Sequence, residues 1–357
     1  MAYSKLPSFP PSPDEYETPA MLRALVAASR PLAGLDEAVH SIPDGRILLS
    51  TLGLQEAQSS SAIENIITTQ QELHEYRLRP VPRNTAAKEA SQYAEAMEAG
   101  WRKVRETQVL SCRTIIGIQQ ILTGYQTEWR TLPGTVLKNA AGETVFTPPP
   151  PDEVPDMMAQ LEKYLNAENG DDPLIKMALA HSRFEAIHPF YDGNGRTGRI
   201  INILFLVKAG LLSAPFLYLS RYIKQTRGDY YRLLRQTQSG RGWDEWLLYM
   251  LRGIAATARH TIALVKNIRD LHDRHEESIR ALRISHRREL LDAIFIRPYT
   301  KAAVLAKELG VSRVTAARYL DNLTAGGVLA KTKPGRENYY INQKLAALLF
   351  DMPDMEL

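Results

Sequence analysis

The sequence predicts a mainly α-helical protein with two small β elements. Apolar residues recur at helical spacing along most of the 357 residues, and proline or glycine ends the helical stretches. Only two stretches, around Asn139 and around Pro334, combine turn residues with strand-like apolar positions. The expected architecture is therefore a set of packed helices with one hairpin in the middle and a winged helix near the C-terminal end.

Composition and charge fit a soluble protein of two or three domains. Hydrophobic residues make up 44% of the chain and charged residues 24%, which is ordinary for a globular protein. Cys112 is the only cysteine, so a reducing, cytoplasmic location is expected. The proline-rich N-terminus has no signal-peptide pattern, and Lys208, Gly210 and Pro215 interrupt the most apolar run, so no membrane contact is expected.

Residues 1–112 are predicted to form an N-terminal helical domain behind a proline-rich arm over residues 1–20. The predicted helices cover residues 20–29, 35–41, 45–67, 70–78 and 86–104, and a further helix over 112–124 begins at the end of this domain. In the third of these, Ser60 and Glu64 lie one turn apart on the same face. An isolated acid among isoleucines is expected either to point to solvent or to pair with an arginine.

The most informative stretch is His188–Arg199, HPFYDGNGRTGR, which is polar and glycine-rich where a packed segment would be apolar. Gly193, Asn194 and Gly195 allow successive backbone N–H groups to converge on one point, which makes an anion site. A helix is predicted from Arg196 to Gly210, so this site lies at a helix N-terminus that attracts phosphate.

Charged side chains surround this predicted phosphate site. Arg196 and Arg199 are three residues apart and can face the same oxyanions. Asp192 suits a Mg²⁺ ion shared with the phosphates, and His188 can act as a general base. The residues predict a Mg²⁺–nucleotide site with a base beside it; a plain Asn-Gly turn beside a buried core histidine is the alternative.

The stretch resembles the signature of the Fic family, H-x-F-x-[DE]-G-N-G-R-x-x-R, at every defined position. The resemblance implies transfer of AMP from ATP to a Ser, Thr or Tyr hydroxyl of a target protein. It assigns His188 as the base and Asp192 as the Mg²⁺ ligand, and Tyr230 follows as a candidate beside the adenine. The expected phosphate-binding residues are Gly193, Asn194, Gly195, Arg196, Thr197, Gly198 and Arg199.

Ser60–Asn65 resembles the inhibitory motif of the same family, [ST]-x-x-x-E-[GN]. The resemblance implies that Glu64 pairs with Arg199 and withholds this arginine from the γ-phosphate of ATP. Ser60, Glu64 and Asn65 are therefore the expected inhibitory residues, placed in the N-terminal domain.

A Fic core domain is expected over residues 113–256, with predicted helices over 152–166, from Asp172 to His188, from Arg227 and over 243–250. Turn residues around Asn139 predict a hairpin over residues 135–147. In the resemblance this hairpin is the flap on which the target backbone docks by strand addition; a surface hairpin that only covers the helices is the alternative.

The C-terminal part is predicted as a linker helix over 257–292, solvent-exposed along its length, and a winged helix-turn-helix over 293–357. His272 and His275 in the linker could offer two metal ligands, without a third. Nine Lys and Arg against three Asp and Glu over residues 297–344 give a net charge of +6. DNA is a possible partner through Ser312, Arg313, Thr315 and Arg318, and a protein-interaction or homodimer module is the alternative.

The predicted function is that of an autoinhibited protein adenylyltransferase that uses ATP and Mg²⁺ and modifies target proteins and itself. Removal of AMP from a target with Glu64 as base, transfer from another nucleotide donor, and DNA-binding regulation with a nucleotide-sensing core are the alternatives.

Overall fold

The computed structural model describes residues 3–42, 44–69, 72–73, 76, 85–126, 128–138, 141–282, 284–333, 337–350 and 355. Helices dominate these residues, which confirms the mainly α prediction. The N-terminal and core helices are α1 Pro19–Val39, α2 Gly45–Ile63, α3 Thr85–Thr107, α4 Cys112–Thr123, α5 Val154–Asn166, α6 Pro173–Ile187, α7 Asn194–Lys208, α8 Ser220–Gln225 and α9 Arg227–Gln238. The remaining helices are α10 Trp243–Ala281, α11 Arg287–Ile296, α12 Ala302–Leu309, α13 Arg313–Ala325 and α14 Gln343–Phe350.

The N-terminal helices differ from the prediction at α1. The prediction of two separate helices over 20–29 and 35–41 is wrong, because α1 is continuous and contains Pro31. One face of α1, including Ala28, Leu32 and Leu35, is buried where the helix packs along α10. This packing outweighs the cost of the backbone hydrogen bond that proline removes. The helix predicted over 70–78 lies largely outside the described residues.

The long helix α10 also differs from the prediction. The helices predicted over 243–250 and 257–292 are one helix up to Ala281, followed by the separate α11, so the domain boundary predicted after residue 256 lies inside a helix. The expectation of a solvent-exposed linker is wrong for its histidines. His272 and His275 are buried and meet the ring of Phe295 edge-on, which joins α10 to α11.

The core of the molecule holds α6 and α7 between the surrounding helices. All residues of α6 from Leu174 to Ile187 are buried, as are most residues of α7. Trp246 of α10 is fully buried and donates a 2.9 Å hydrogen bond to the carbonyl of Ala178 in α6. Because both helices are enclosed, the loop that connects them is fixed at both ends.

Helix α2 is fastened to the core by a buried acid, Glu56. Its carboxylate accepts a 2.9 Å hydrogen bond from the Tyr93 hydroxyl and bonds from the backbone N–H and hydroxyl of Ser220. Burial raises the pKa of Glu56. These contacts set the position of the end of α2, where Ser60 lies in the last turn and Glu64 is the C-cap residue.

The β elements are short and antiparallel. Strands β1 Leu137–Lys138 and β2 Thr144–Phe146 form the predicted hairpin, with Leu137 opposite Phe146; Asn139 and Ala140 lie outside the described residues. Strands β3 Tyr299–Thr300, β4 Ala330–Thr332 and β5 Tyr339–Ile341 form a sheet in the order β3-β5-β4 beside α12 and α13. This is a helix-turn-helix with a small sheet, and its predicted tip, Pro334 to Arg336, lies outside the described residues.

Among the described helices, none combines the length and the apolar character that crossing a bilayer requires.

Candidate active site

The loop between α6 and α7 begins at His188, which ends α6 in a left-handed conformation with φ 49° and ψ 61°. A residue other than glycine in this region costs about 1–2 kcal/mol, so surrounding contacts must hold it. The N–H of His188 donates a 3.0 Å bond to the carbonyl of Phe184. The left-handed conformation turns the chain sharply out of α6, so that residues 189–193 cross to the start of α7.

The environment of His188 keeps its imidazole neutral. Burial, and then the positive charge of Arg130, lower the pKa of His188 to about 4, against the smaller opposing effects of Glu64 and Asp192. The backbone carbonyl of Glu185 also raises this pKa by its interaction with the ring. The Nδ1 atom of His188 is buried without a hydrogen-bond partner in the described part of the chain, and a neutral imidazole has one ring nitrogen that can accept a proton.

The predicted nest lies at the N-terminus of α7. Gly193 is in the left-handed region at φ 77° and precedes the first helical residue, Asn194. The side chain of Asn194 does not face the nest: it accepts a 2.9 Å bond from the Phe190 N–H and donates a 2.8 Å bond to the Phe190 carbonyl. Asn194 can therefore contribute only its backbone to an anion site, and its amide holds the loop closed.

The two arginines of the stretch have different surroundings. Arg196 is buried and pairs with Glu89 of α3 at 3.1 Å and with Asp192 at 3.3 Å. The side chain of Asp192 is 71% exposed, and it also accepts a 2.7 Å bond from the Gly193 N–H. The exposed carboxylate beside the nest fits a Mg²⁺ ion that shares phosphate oxygens. Among the described residues, no group of three His, Cys, Asp or Glu side chains could hold a metal alone.

Arg199 is held by the last turn of α2. Its guanidinium is 1% exposed and donates to the Ser60 hydroxyl at 2.8 Å, the Ser60 carbonyl at 2.9 Å and Glu64 at 3.0 Å. Burial opposes the charge of Arg199, but Glu64 and nearby tyrosines raise its pKa overall. Ser60 and Glu64 precede Arg199 by 139 and 135 residues in the chain, and the fold brings all three side chains into one cluster.

The carboxylate of Glu64 also lies against the nest. A β-carbon built on Gly195 would be 2.3 Å from a Glu64 oxygen, so only glycine admits this contact. The next residue, Asn65, accepts a 2.9 Å bond from Arg227 of α9. The anionic group of Glu64 therefore occupies the space beside the N–H groups that would receive a phosphate.

An open cavity of about 710 Å³ joins these groups to the hairpin. Its walls come from both strands of the hairpin, the end of α2, α6, α7 and α9, and they include His188, Gly195 and Arg199. Several predicted site residues are not among its lining residues, namely Asp192, Gly193, Asn194, Arg196, Thr197 and Gly198. The Thr197 hydroxyl is buried, and Gly198 packs against Glu185. Gly198 therefore lies where α7 packs tightly against α6.

Tyr230, a predicted adenine contact, lies in the wall of the cavity as a buried residue. Its hydroxyl bonds to His181 at 2.8 Å, and its ring contacts Trp246 and Tyr231. Tyr231 is less buried and lines the same cavity. The sequence pattern of α9 could not distinguish the two neighbouring tyrosines, because both lie near the face that packs on the core.

Glu185 is a functional candidate that the sequence analysis missed. It lies one turn before His188, lines the cavity, and has one carboxyl oxygen that is buried without a hydrogen-bond partner. Burial, with a smaller contribution from Glu64 and against the charge of Arg199, raises the pKa of Glu185 to about 8. Its position one turn from the base was visible in the sequence, but its burial was not.

This raised pKa predicts how stability depends on pH. Between the ordinary pKa of 4.5 and the folded value of about 8 the folded state holds a proton that the unfolded state has lost, so stability falls as pH rises. Glu185→Gln removes this effect. We expect it to raise the melting temperature by a few degrees near about pH 9 and hardly at all near about pH 5. Glu153→Gln on the surface is the control; an equal shift at both pH values would contradict the prediction.

Comparison with known proteins identifies the parts of the chain. The Fic/DOC family N-terminal profile matches residues 22–102, the Fic/DOC family profile matches residues 109–206, and the profile of the C-terminal domain of SoFic-like protein adenylyltransferases matches residues 271–345. A probable protein adenylyltransferase from Aquifex aeolicus is 43% identical over 82 residues, 23% of this chain and 26% of that protein. The protein adenylyltransferase Fic of Drosophila ananassae is 37% identical over 95 residues, 26% of this chain and 18% of that protein.

Solved structures share the fold over a larger part of the chain. A Fic family protein from Desulfovibrio desulfuricans superimposes with a TM-score of 0.59 at 22% identity, over 94% of this chain and 98% of that one. Fic-1 from C. elegans superimposes with a TM-score of 0.52 at 19% identity, over 69% and 73% of the two chains. With the complete signature in the loop from His188 to Arg199 and three successive matching profiles, this chain belongs to the Fic/DOC family.

Proposed function

We propose that the protein transfers AMP from ATP to hydroxyl groups of target proteins and of itself. One observation carries the proposal: a neutral histidine, His188, lines the same cavity as Gly195 of the nest and the buried arginine Arg199. Base and anion site together suit nucleotidyl transfer to a hydroxyl. The protein adenylyltransferases that match part of this chain support the same reaction, although the chain spans only about a quarter or less of their lengths.

In the proposed reaction the target hydroxyl gives its proton to His188 and attacks the α-phosphorus of ATP. The bond from that phosphorus to the bridging oxygen of the β-phosphate breaks, and pyrophosphate leaves. The nest, Arg196 and Arg199 would hold the phosphates in place, so catalysis rests on positioning and on neutralised charge. Asp192 would hold a Mg²⁺ ion, which supplies positive charge to the phosphates.

The hairpin β1–β2 is the proposed docking place for the target. Its strands line the cavity beside His188, and a short two-stranded hairpin leaves a strand edge for a third strand to join. Main-chain pairing of this kind makes few demands on target sequence. A target segment on the hairpin would bring its hydroxyl to the histidine.

The resting protein is proposed to be autoinhibited. Glu64 accepts a hydrogen bond from the Arg199 guanidinium and lies against Gly195. A γ-phosphate would therefore compete with this carboxylate for the N–H donors of Arg199 and of the nest. Because Glu56 fastens α2 to the core, Glu64 is held in this position.

The reaction is tested by following label from ATP into protein. With α-labelled ATP and Mg²⁺ the protein should become labelled, and with γ-labelled ATP it should not. Label from the γ-position would indicate phosphate transfer instead. If neither ATP labels the protein and a different labelled nucleotide does, the donor assignment is wrong; release of AMP from a modified protein would favour the reverse reaction.

A second candidate function, DNA binding, is favoured by the first two turns of α13. Val314 is 80% exposed there, and Arg313 and Arg318 are exposed and form no ion pair within the described part of the chain. Ser312 caps the helix, accepting a 3.1 Å bond from the N–H of Thr315. Arginines and an apolar side chain on such a turn suit phosphates and thymine methyl groups in the major groove.

The DNA proposal predicts a salt-dependent affinity that depends on these arginines. We expect the Arg313→Ala, Arg318→Ala double variant to bind a fluorescent duplex about tenfold or more weakly than the unmodified protein, with a shallower salt dependence. Arg102→Ala with Arg105→Ala, exposed on α3, is the matched control. Equal binding by all three proteins, or none by the unmodified protein, would contradict DNA binding through α13.

A further inference from the structure

Arg130 is a buried arginine whose described hydrogen-bond acceptors are all backbone carbonyls. Its side chain is 1% exposed. Its guanidinium donates to the carbonyls of His188 at 2.9 Å, Ile187 at 3.4 Å and Pro149 at 2.5 Å. Its own N–H donates to the carbonyl of Pro189 at 2.8 Å. Burying a charge is costly unless hydrogen bonds satisfy its donors, so these carbonyls offset the desolvation of the guanidinium.

Two of these carbonyls belong to the C-terminal end of α6. The last carbonyls of a helix lack partners within the helix and carry partial negative charge, which a cation satisfies. Arg130 holds the chain on both sides of the left-handed histidine. Its side chain bonds to the carbonyls of Ile187 and His188, and its backbone N–H bonds to the carbonyl of Pro189. These contacts offset the backbone cost of that conformation.

The same residue joins the loop to both ends of the hairpin. Arg130 itself lies a few residues before β1, and Pro149 lies three residues after β2. Beside it, the Tyr191 hydroxyl accepts 2.8 Å bonds from the N–H groups of Thr131 and Leu132. The segments before and after the hairpin are therefore tied to the same four residues, His188 to Tyr191.

We propose that Arg130 is a positioning residue that fixes His188 and the base of the hairpin in one rigid unit, so that a hydroxyl docked on the hairpin faces the histidine. Within the described part of the chain, no hydrogen bond or ion pair joins Arg130 to the nest or to the arginines of α7. Its loss should therefore change the turnover of AMP transfer and leave ATP binding almost unchanged. This inference rests on the proposed function but concerns a different residue.

The test places Arg130→Met and Arg130→Lys in the Glu64→Gly variant and measures kcat and the KM for ATP of AMP transfer. Misplacement of a reacting group by about 1 Å can cost about 10²-fold. We expect kcat to fall about 100-fold for methionine and about tenfold for lysine, which keeps the charge but not the planar fork. The KM for ATP should stay within about threefold in both.

Arg183→Met is the matched control. Arg183 is also buried, lies on α6, and donates a 3.1 Å bond to the carbonyl of Pro7, away from the loop. Its loss should lower the melting temperature without lowering kcat. If Arg130→Met does not fold, the lysine variant decides the question. A kcat within about threefold of the parent in a folded Arg130 variant, or a rise in KM alone, would overturn the inference.

Hydrogen exchange separates this inference from the proposed function. Arg130→Met should speed amide exchange at Phe190 and Tyr191 more than Arg183→Met does. If the Glu64→Gly parent transfers no AMP, the proposed function fails and the exchange rates alone test the positioning role. Equal exchange in the two variants would then overturn it.

Discussion

The His188→Ala substitution is expected to reduce AMP transfer by about 10²–10⁴-fold, the usual contribution of a general base. His188 is neutral in the folded protein because burial and Arg130 lower its pKa to about 4. It can therefore accept the hydroxyl proton across the neutral pH range. The measurement is the rate of label transfer from α-labelled ATP at saturating ATP.

Two controls separate loss of the base from loss of the fold. His40→Ala, on the exposed end of α1, should transfer AMP at the rate of the unmodified protein. ATP should bind to His188→Ala with nearly unchanged affinity, since the phosphates are assigned to the nest and the arginines. A His188→Ala protein that transfers AMP at more than about a tenth of the normal rate would show that His188 is not the base.

The Glu64→Gly substitution should have the largest effect in the opposite direction. It removes the carboxylate that bonds to Arg199 at 3.0 Å and lies against Gly195. A hydrogen bond between charged groups is worth about 1.5–3 kcal/mol, which corresponds to an increase of roughly 10- to 100-fold in AMP transfer. ATP should also bind more tightly, because its γ-phosphate no longer competes with the carboxylate.

A charge-neutral variant and a surface control refine this test. Glu64→Gln keeps the size of the side chain and should activate less than Glu64→Gly, since an amide can still bond to the arginine. Glu98→Gly removes the exposed partner of Arg102 on α3 and should leave AMP transfer unchanged. Lower transfer in Glu64→Gly than in the unmodified protein would contradict autoinhibition and favour a direct catalytic role for Glu64.

The parts of the site that could be predicted from sequence are those encoded locally. The stretch from His188 to Arg199 carries its base, nest and arginines within a single loop and helix start, so their proximity follows from the chain itself. The cap of α13 by Ser312 and the hairpin could also be predicted, because neighbouring residues in the sequence determine them. The meeting of Glu64 with Arg199 was expected only from the resemblance, because nothing in a single helix predicts a partner 135 residues away.

The parts that were missed depend on tertiary packing. Glu185 and Arg130 are charged residues, which are expected at the surface by type. Glu185 is buried because all of α6 from Leu174 onward is enclosed, and Arg130 is buried against the end of that helix. Pro31 normally ends a helix, yet packing along α10 continues α1 past it. Likewise, the sequence of α9 could not predict that Tyr230 is buried while its neighbour Tyr231 is partly exposed.

The central claim is tested most directly by the intact mass of three proteins after incubation with ATP and Mg²⁺: the unmodified chain, Glu64→Gly and His188→Ala. The account predicts mass increases of whole AMP units, largest in Glu64→Gly, small in the unmodified protein and undetectable in His188→Ala. No increase in Glu64→Gly, or an equal increase in all three proteins, would contradict the assignment of an autoinhibited AMP transferase.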